Sequence, residues 1–223
     1  MTDGPDGPAR APFFGDVPRD VLGLLVVICA VSIAILIGPI GVQSWLLRAC
    51  SVWIGSRAAP FDQPLGPLAP YVLHVFAHGG WFHLLANAAG ILAFGSAVAR
   101  RFRSPVVFVA FFFVCALAGA VAEALFQPAE TTMLGASSGA FGLIAGATYL
   151  IRARGGPPVR LLSRDMAVGL APWVAVNVVF GVFGMSFAGA QVAWIAHLGG
   201  LFAGALLFPL FDRFAAVGGA ARR

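Results

Sequence analysis

The stretch Leu134-Gly135-Ala136-Ser137-Ser138-Gly139-Ala140-Phe141-Gly142 decides the reading of this chain. It opens an apolar helix that runs to about Tyr149, and a hydroxyl-bearing turn feeding a membrane-grade helix needs a partner. The rest of the chain is as apolar as that helix. Of its 223 residues, 60% are hydrophobic and 10% are charged, with a mean hydropathy of +0.91. Soluble domains lie well away from these values. The chain reads as an all-α polytopic membrane protein.

A net charge of +5 and a pI near 10.1 raise the possibility of nucleic-acid binding. The arginines stand in short loops between apolar segments, with no basic run interleaved with aromatics, so nucleic acid is excluded as a partner. Cys29, Cys50 and Cys115 fall in or beside apolar segments without CxxC spacing and read as small hydrophobes. Residues 1–20 mix Pro, Gly, Asp and Arg and lack a cleavage pattern, which reads as a disordered cytoplasmic tail before a retained helix.

Crossing a bilayer takes roughly 17 to 25 apolar residues. Six stretches qualify as candidates: about Val21–Val42, Phe82–Val98, Pro105–Phe126, Ser137–Ile151, Met166–Ser186 and Gln191–Phe211. The second and fourth are short and rich in Gly and Ala, which suits burial inside a bundle. Residues 43–77, with Trp45, Trp53 and many prolines, read as a long irregular first loop, structured or partly embedded in the membrane. The membrane domain is set at residues 21–212, followed by a short cytoplasmic tail at 213–223.

Every basic residue is arginine, and their distribution orients the bundle. Arg10 and Arg19, then Arg100, Arg101 and Arg103, then Arg152, Arg154, Arg160 and Arg164, and finally Arg213, Arg222 and Arg223 share one side. Only Arg48 and Arg57 lie on the other. The positive-inside rule therefore puts both termini in the cytoplasm. Helices two, four and six then start at the external face. Ser137 sits at the head of the fourth, and His197 lies six residues into the sixth, roughly 9 Å at the helical rise. The two share a depth. His83 and Asn87 stand at i and i+4 on the second helix, and all four histidines, including His74 and His78, gather in the outer half.

Shared depth needs close approach to become contact. Gly135, Gly139, Gly142 and Gly146 on the fourth helix, with Gly200 and Gly204 on the sixth, form small-xxx-small patterns that allow it. A serine becomes nucleophilic beside a base, and a neutral imidazole is the commonest one. The free amides at a helix start suit an oxyanion, to which His83 and Asn87 would add side-chain donors. The plainer alternatives are a core histidine bonded to a carbonyl and a serine that only caps its helix. Gly135-x-Ser137-x-Gly139 is formally G-x-S-x-G, but the hydrolase elbow requires a preceding strand and none is readable here. There is no HExxH motif and no intramembrane aspartate pair, and His74, His78 and His83 lack a nearby carboxylate or cysteine to complete a metal site. No metal or other cofactor is expected.

Three segments in this order, on helices two, four and six, resemble the rhomboid family of intramembrane serine proteases over about residues 70–212. They are His78-Gly79-Gly80-Trp81-Phe82-His83-Leu84-Leu85-Ala86-Asn87, Gly135-Ala136-Ser137 followed by Phe141-Gly142, and Ala196-His197-Leu198-Gly199-Gly200 with Gly204. The resemblance implies a bundle of six transmembrane helices with a long first external loop. It implies Ser137 as nucleophile, His197 as general base of a dyad, and an oxyanion hole of His83, Asn87 and the Ser137 amide. His78 would be structural, and Phe141 would pack on the dyad histidine. Two features depart from the family pattern. Ser138 stands where the family usually has glycine, which leaves two serines to choose between; the spacing to Phe141 and Gly142 favours Ser137. The Trp-Arg pair of the first loop is not intact, with Trp53 and Arg57 or Trp45 and Arg48 as substitutes.

By the same resemblance, the chain would cleave single-span membrane proteins in or next to their transmembrane segments, and its fifth span, with Trp173 and Asn177, would serve as a lateral gate. The all-arginine, Ala-rich and Gly-rich composition points to the lipid bilayer of a bacterial inner membrane, and the arginine distribution to a site open to the external side. Glu123 reads as a polar packing residue. One competing class is a non-catalytic relative that binds membrane clients, which loss of Ser or His would mark. A proton-coupled transporter is the other, and it would require an ionisable track through the inner half that these helices do not offer.

Overall fold

The computed structural model describes residues 17–153, 159–183, 186–187 and 190–220, and the expected tail therefore lies largely outside the described residues. Helix α1 spans Arg19–Ile37 and ends at Gly38-Pro39, short of the Val42 expected from hydropathy. Proline offers no amide and disfavours helix at the residue before it. The chain restarts as α2, Ile40–Cys50, and the Gln43 side chain donates to the Gly38 carbonyl at 2.7 Å, closing the corner.

The segment from Gly38 to Gly80 carries more regular structure than its prolines suggest. After α2 come strand β1 (Val52–Ile54), a short helix α3 (Pro70–Leu73) and a 3₁₀ turn over His74–Phe76. Helix α4 (Trp81–Gly90) continues through a π-helical segment at Ile91–Gly95 into α5 (Ser96–Phe102), so one helical rod covers Trp81–Phe102. Helix α6 (Pro105–Phe126) starts with Pro105 in its first turn and Ser104 as N-cap, both favourable at that end.

Strand β2 (Thr131–Met133) leads to α7 (Ser137–Ala153), followed by α8 (Arg164–Phe183). The two-residue strands β3 (Ser186–Phe187) and β4 (Ala190–Gln191) pair antiparallel before α9. Helix α9 covers Trp194–Ala220, nine residues past the Phe211 end read from hydropathy, and so occupies most of the stretch read as a C-terminal tail.

Among the described residues, five helices are long and apolar enough to cross a membrane: α1, the α4–α5 rod, α6, α8 and Trp194–Val217 of α9. The chain is a mostly helical, multi-pass membrane protein. Helix α7, at 17 residues, is the shortest of the long helices and the most enclosed, with eleven of its residues buried.

Glycine explains how α7 is enclosed on both sides. A Cβ on Gly200 would strike the Ser138 backbone, and one on Gly204 would strike the backbone of Gly142, so α9 rests on α7 with nothing between. Gly142 also abuts Cys115 of α6, and Gly139 faces the Phe112 ring of α6, not α9 as its spacing suggested. Backbone contact of this kind is how membrane helices associate where lipid supplies no hydrophobic drive.

The two ends of this bundle differ in chemistry. Away from Ser137, aromatic rings fill the space: Phe208 stacks on Phe102 at 5.5 Å and on Tyr149 at 5.1 Å, and the Tyr149 hydroxyl donates to the Ala205 carbonyl at 2.7 Å. A fork of two bonds from Arg101 to Asp212, 2.6 and 2.8 Å, links α5 to α9 there. At the Ser137 end, the buried polar side chains of His74, His78, Asn87, Glu123, Ser138 and Asn177 gather.

Candidate active site

Four consecutive residues at the head of α7 each meet one of the four histidines. Gly135 lies against the His83 ring, the Ala136 amide donates to His78 Nε2 at 3.4 Å, Ser137 Oγ is 2.8 Å from His197 Nε2, and Ser138 Oγ is 3.4 Å from His74 Nε2. Gly135 has φ +119°, a conformation that L side chains rarely adopt, and a Cβ there would sit 2.7 Å from His83 Nε2. Only glycine meets both demands.

A strand does precede this turn, contrary to the sequence reading. β2 pairs antiparallel with β1 in the register Val52–Met133, Trp53–Thr132 and Ile54–Thr131. Three residues are too few to show periodicity, although the β-branched pair Thr131-Thr132 was a signal. The ribbon is two-stranded and antiparallel, unlike the sheet under a hydrolase elbow. It anchors the run into α7 to the segment after α2, and the Gly135 amide adds a bond to the His74 carbonyl at 2.9 Å.

Histidines 74 and 78 are fully enclosed, and their bonds fix their tautomers. His78 Nε2 accepts from the Ala136 amide, so Nδ1 carries the proton and donates to Ser32 Oγ at 2.8 Å. The Ser32 hydroxyl in turn donates to the Phe76 carbonyl at 2.8 Å, tying α1 to the turn below the serine. His74 Nδ1 faces the Pro70 carbonyl at 3.2 Å. Burial is the main reason the His78 imidazole is pulled down to about 3, with His83 and His74 adding to it, and burial pulls His74 down to about 4. Both are neutral at physiological pH.

His197 is held from three directions. Ser137 bonds its Nε2; Phe141 stacks on its face with centroids 4.5 Å apart and planes 13° apart; and Asn177 Oδ1 lies 2.8 Å from its Nδ1. Sequence alone places Asn177 with Trp173 on the gate-like fifth span and does not pair it with His197. A lone amide in the middle of an apolar helix was the available signal.

Asn87 is buried and its Nδ2 donates to the His83 carbonyl at 2.8 Å. On the same face of the rod, His83 lies against Gly135, and a Cβ on Gly90 would lie 3.9 Å from the Ala140 side chain. Asn87, between them, therefore faces the first turn of α7. Of the two serines, Ser138 is buried and Ser137 is only half-buried. The first amides of α7 have no carbonyl in a preceding turn.

The sequence matches the family model of the Rhomboid domain over residues 66–213, two thirds of the chain. The chain belongs to the rhomboid family. No curated protein matches it. The match spans all three rhomboid segments, from His78 to Gly204, and leaves α1, α2 and β1 outside. In this rhomboid chain the helices that carry the serine and the histidine are also the pair pressed together by Gly200 and Gly204. Trp53, one of the candidates for the loop pair, donates its Nε1–H to the Arg57 carbonyl at 3.0 Å. Arg48, the candidate partner of Trp45, pairs with Asp62 at 2.8 Å.

Proposed function

We propose that this rhomboid chain is an intramembrane serine endopeptidase that cleaves single-span membrane proteins in or next to their transmembrane segments. The observation that carries the reading is the 2.8 Å contact between Ser137 Oγ and His197 Nε2 from separate helices. Its distance fits a nucleophile and its base. Ser137 is the nucleophile and His197 the general base; Ser138, buried against α6, stands at the longer distance of 3.4 Å from its own imidazole, His74 Nε2, against 2.8 Å for Ser137 and His197.

In the first half-reaction, Ser137 Oγ attacks the scissile carbonyl carbon as its proton passes to His197 Nε2. The tetrahedral oxyanion is received by the Ser137 amide with donors from His83 and Asn87. Collapse breaks the C–N bond, the imidazolium returns its proton to the leaving amine, and an ester to Ser137 remains. Water then attacks the ester as its proton passes to His197 Nε2, and the imidazolium returns that proton to the departing Ser137 Oγ as the new carboxyl terminus is released. A helical substrate must unwind locally first, because its scissile amide is engaged in its own hydrogen bonds.

The domain organisation proposed is a six-helix unit over residues 21–212, in which α7 is the short central fourth span, with residues 1–20 and 213–223, the latter begun by the end of α9, on the cytoplasmic side. The arginine distribution supports an orientation in which Ser137 opens to the external side of a bacterial inner membrane. A fluorophosphonate probe tests the chemistry directly. Labelling of wild type but not of Ser137→Ala or His197→Ala supports the protease. Equal labelling of wild type and Ser137→Ala, or none of either, favours a client-binding relative.

A further inference from the structure

Asn177 is the one buried polar side chain among the described residues of α8, an otherwise largely exposed apolar helix. An amide placed there is costly unless both of its ends are bonded. Both are. Nδ2 donates to the Trp173 carbonyl one turn back at 2.7 Å, and Oδ1 lies 2.8 Å from His197 Nδ1.

The first of these bonds decides the second. With Nδ2 turned to Trp173, the atom facing the imidazole is a carbonyl oxygen, which can only accept. His197 Nδ1 must then carry the ring proton, and Nε2 presents its lone pair to Ser137 Oγ, 2.8 Å away. Phe141, stacked on the ring, blocks rotation out of that line. Were the proton on Nε2 instead, the nitrogen facing Ser137 could take no proton from it.

We infer that Asn177 is a positioning residue that holds His197 as its Nδ1–H tautomer, so that the site is a hydrogen-bonded line Asn177–His197–Ser137 with a neutral third member. This rests on the protease reading for its effect on rate, while the hydrogen bond itself does not. Serine proteases use a third group for the same orientation, and an asparagine fills that position in papain-like cysteine proteases. Here the third group stands on a different helix from both partners. Helix α8 is seated by Gly169 against Thr148, by Trp173 edge-on to Phe94 and Phe141, and by Gly181 against Trp194. The correct tautomer therefore depends on α8 being docked.

The test uses the full chain in detergent or vesicles, with a fluorophosphonate as the probe and nitrogen NMR shifts of the histidine rings as a second readout. The His197 signal is identified by its loss in His197→Ala. In wild type it is expected to report a single Nδ1–H tautomer. Asn177→Leu, of similar size and without an acceptor, is expected to show a tautomer mixture and a maximal inactivation rate about tenfold lower, the factor that 1.36 kcal/mol represents, at unchanged probe affinity. Asn177→Asp keeps the acceptor and is expected to keep the tautomer. An Nε2–H tautomer in wild type, or an Asn177→Leu variant with wild-type tautomer and rate, would overturn the inference. Absence of probe labelling in wild type would instead count against the protease reading, and the ring shifts would still decide the hydrogen bond.

Discussion

Ser138 Oγ lies 3.4 Å from both the Ala116 carbonyl and His74 Nε2, on the face of α7 that meets Gly119 of α6. Those contacts are at the long limit of hydrogen bonding, and they fill a place that the neighbouring Gly119 keeps open by lacking a Cβ. Ser138 thus packs on α6 and bonds towards His74, whereas Ser137 bonds His197. Ser138→Ala should keep fluorophosphonate labelling near the wild-type rate and cost about 1 kcal/mol of stability. Ser137→Ala should keep stability and lose labelling. Labelling lost in the first variant and kept in the second would move the nucleophile by one residue.

How much of this was readable beforehand follows from which signals are local. Three short motifs and the arginine distribution put Ser137 and His197 at one depth, because helical rise converts sequence position into depth. The choice of neighbours was harder to read. Gly139 belongs to the same small-residue series as Gly142, yet it faces Phe112 of α6, since consecutive glycines on a central helix serve different partners. Gly119, alone among larger residues on α6, belongs to no such series. Asn177 escaped assignment because its partner is twenty residues away on another helix, and β2 escaped because three residues carry no period. The extent of α1 was misjudged since hydropathy does not register the Gly38-Pro39 corner.

Gly200 sets the distance between the serine and histidine helices, and its replacement should be costly. Gly200→Ala would press a methyl onto the Ser138 backbone, and overpacking of this kind costs about 1–3 kcal/mol. Gly23→Ala, on a part of α1 with nothing within 4 Å of the added Cβ, serves as the control. It should melt at the wild-type temperature or slightly above, as alanine is the better helix former by about 1 kcal/mol. Thermal melting in detergent compares the two; equal melting temperatures would refute the close-packing account.

Glu123 lies buried on α6 and ties down the start of α9. Its Oε2 accepts from the Ala196 amide at 2.7 Å, and its Oε1 accepts from Gln127 Nε2 at 3.0 Å. Ala196 is in the first turn of α9, where amides lack carbonyl partners, and it immediately precedes His197. Glu123→Ala should cost about 0.5–2 kcal/mol, as for loss of a helix cap, and should also slow labelling at Ser137. Glu123→Gln keeps an acceptor and should fall between Ala and wild type. A Glu123→Ala variant with wild-type melting and labelling would leave the carboxylate without this role.

Acid should loosen the turn beneath the serine. His78 is pulled from 6.5 down to about 3 and His74 down to about 4, both mainly by burial. Between those values and 6.5 the unfolded chain binds protons that the folded chain does not, so stability rises with pH across that window and is lost as pH falls through it. The slope is about 1.4 kcal/mol per pH unit for each histidine. The melting temperature should fall steadily from pH 6.5 towards 4, and His78→Phe should flatten the slope even if it lowers the starting value. A pH-independent melting temperature in wild type would contradict this account.

Gly181 gives a way to disturb α8 without touching the site. A Cβ on Gly181 would lie 2.6 Å from the Trp194 ring, at the beginning of the His197 helix. Gly181→Leu must displace either α8 or Trp194, and a displaced α8 carries Asn177 away from His197 Nδ1. The maximal rate of fluorophosphonate labelling should fall, in the same direction as for Asn177→Leu. Combined in one chain, the two substitutions should cost less than the product of their separate effects, because the second removes what the first has already broken. Fully multiplicative effects would mean that Gly181 acts on labelling by a route other than Asn177.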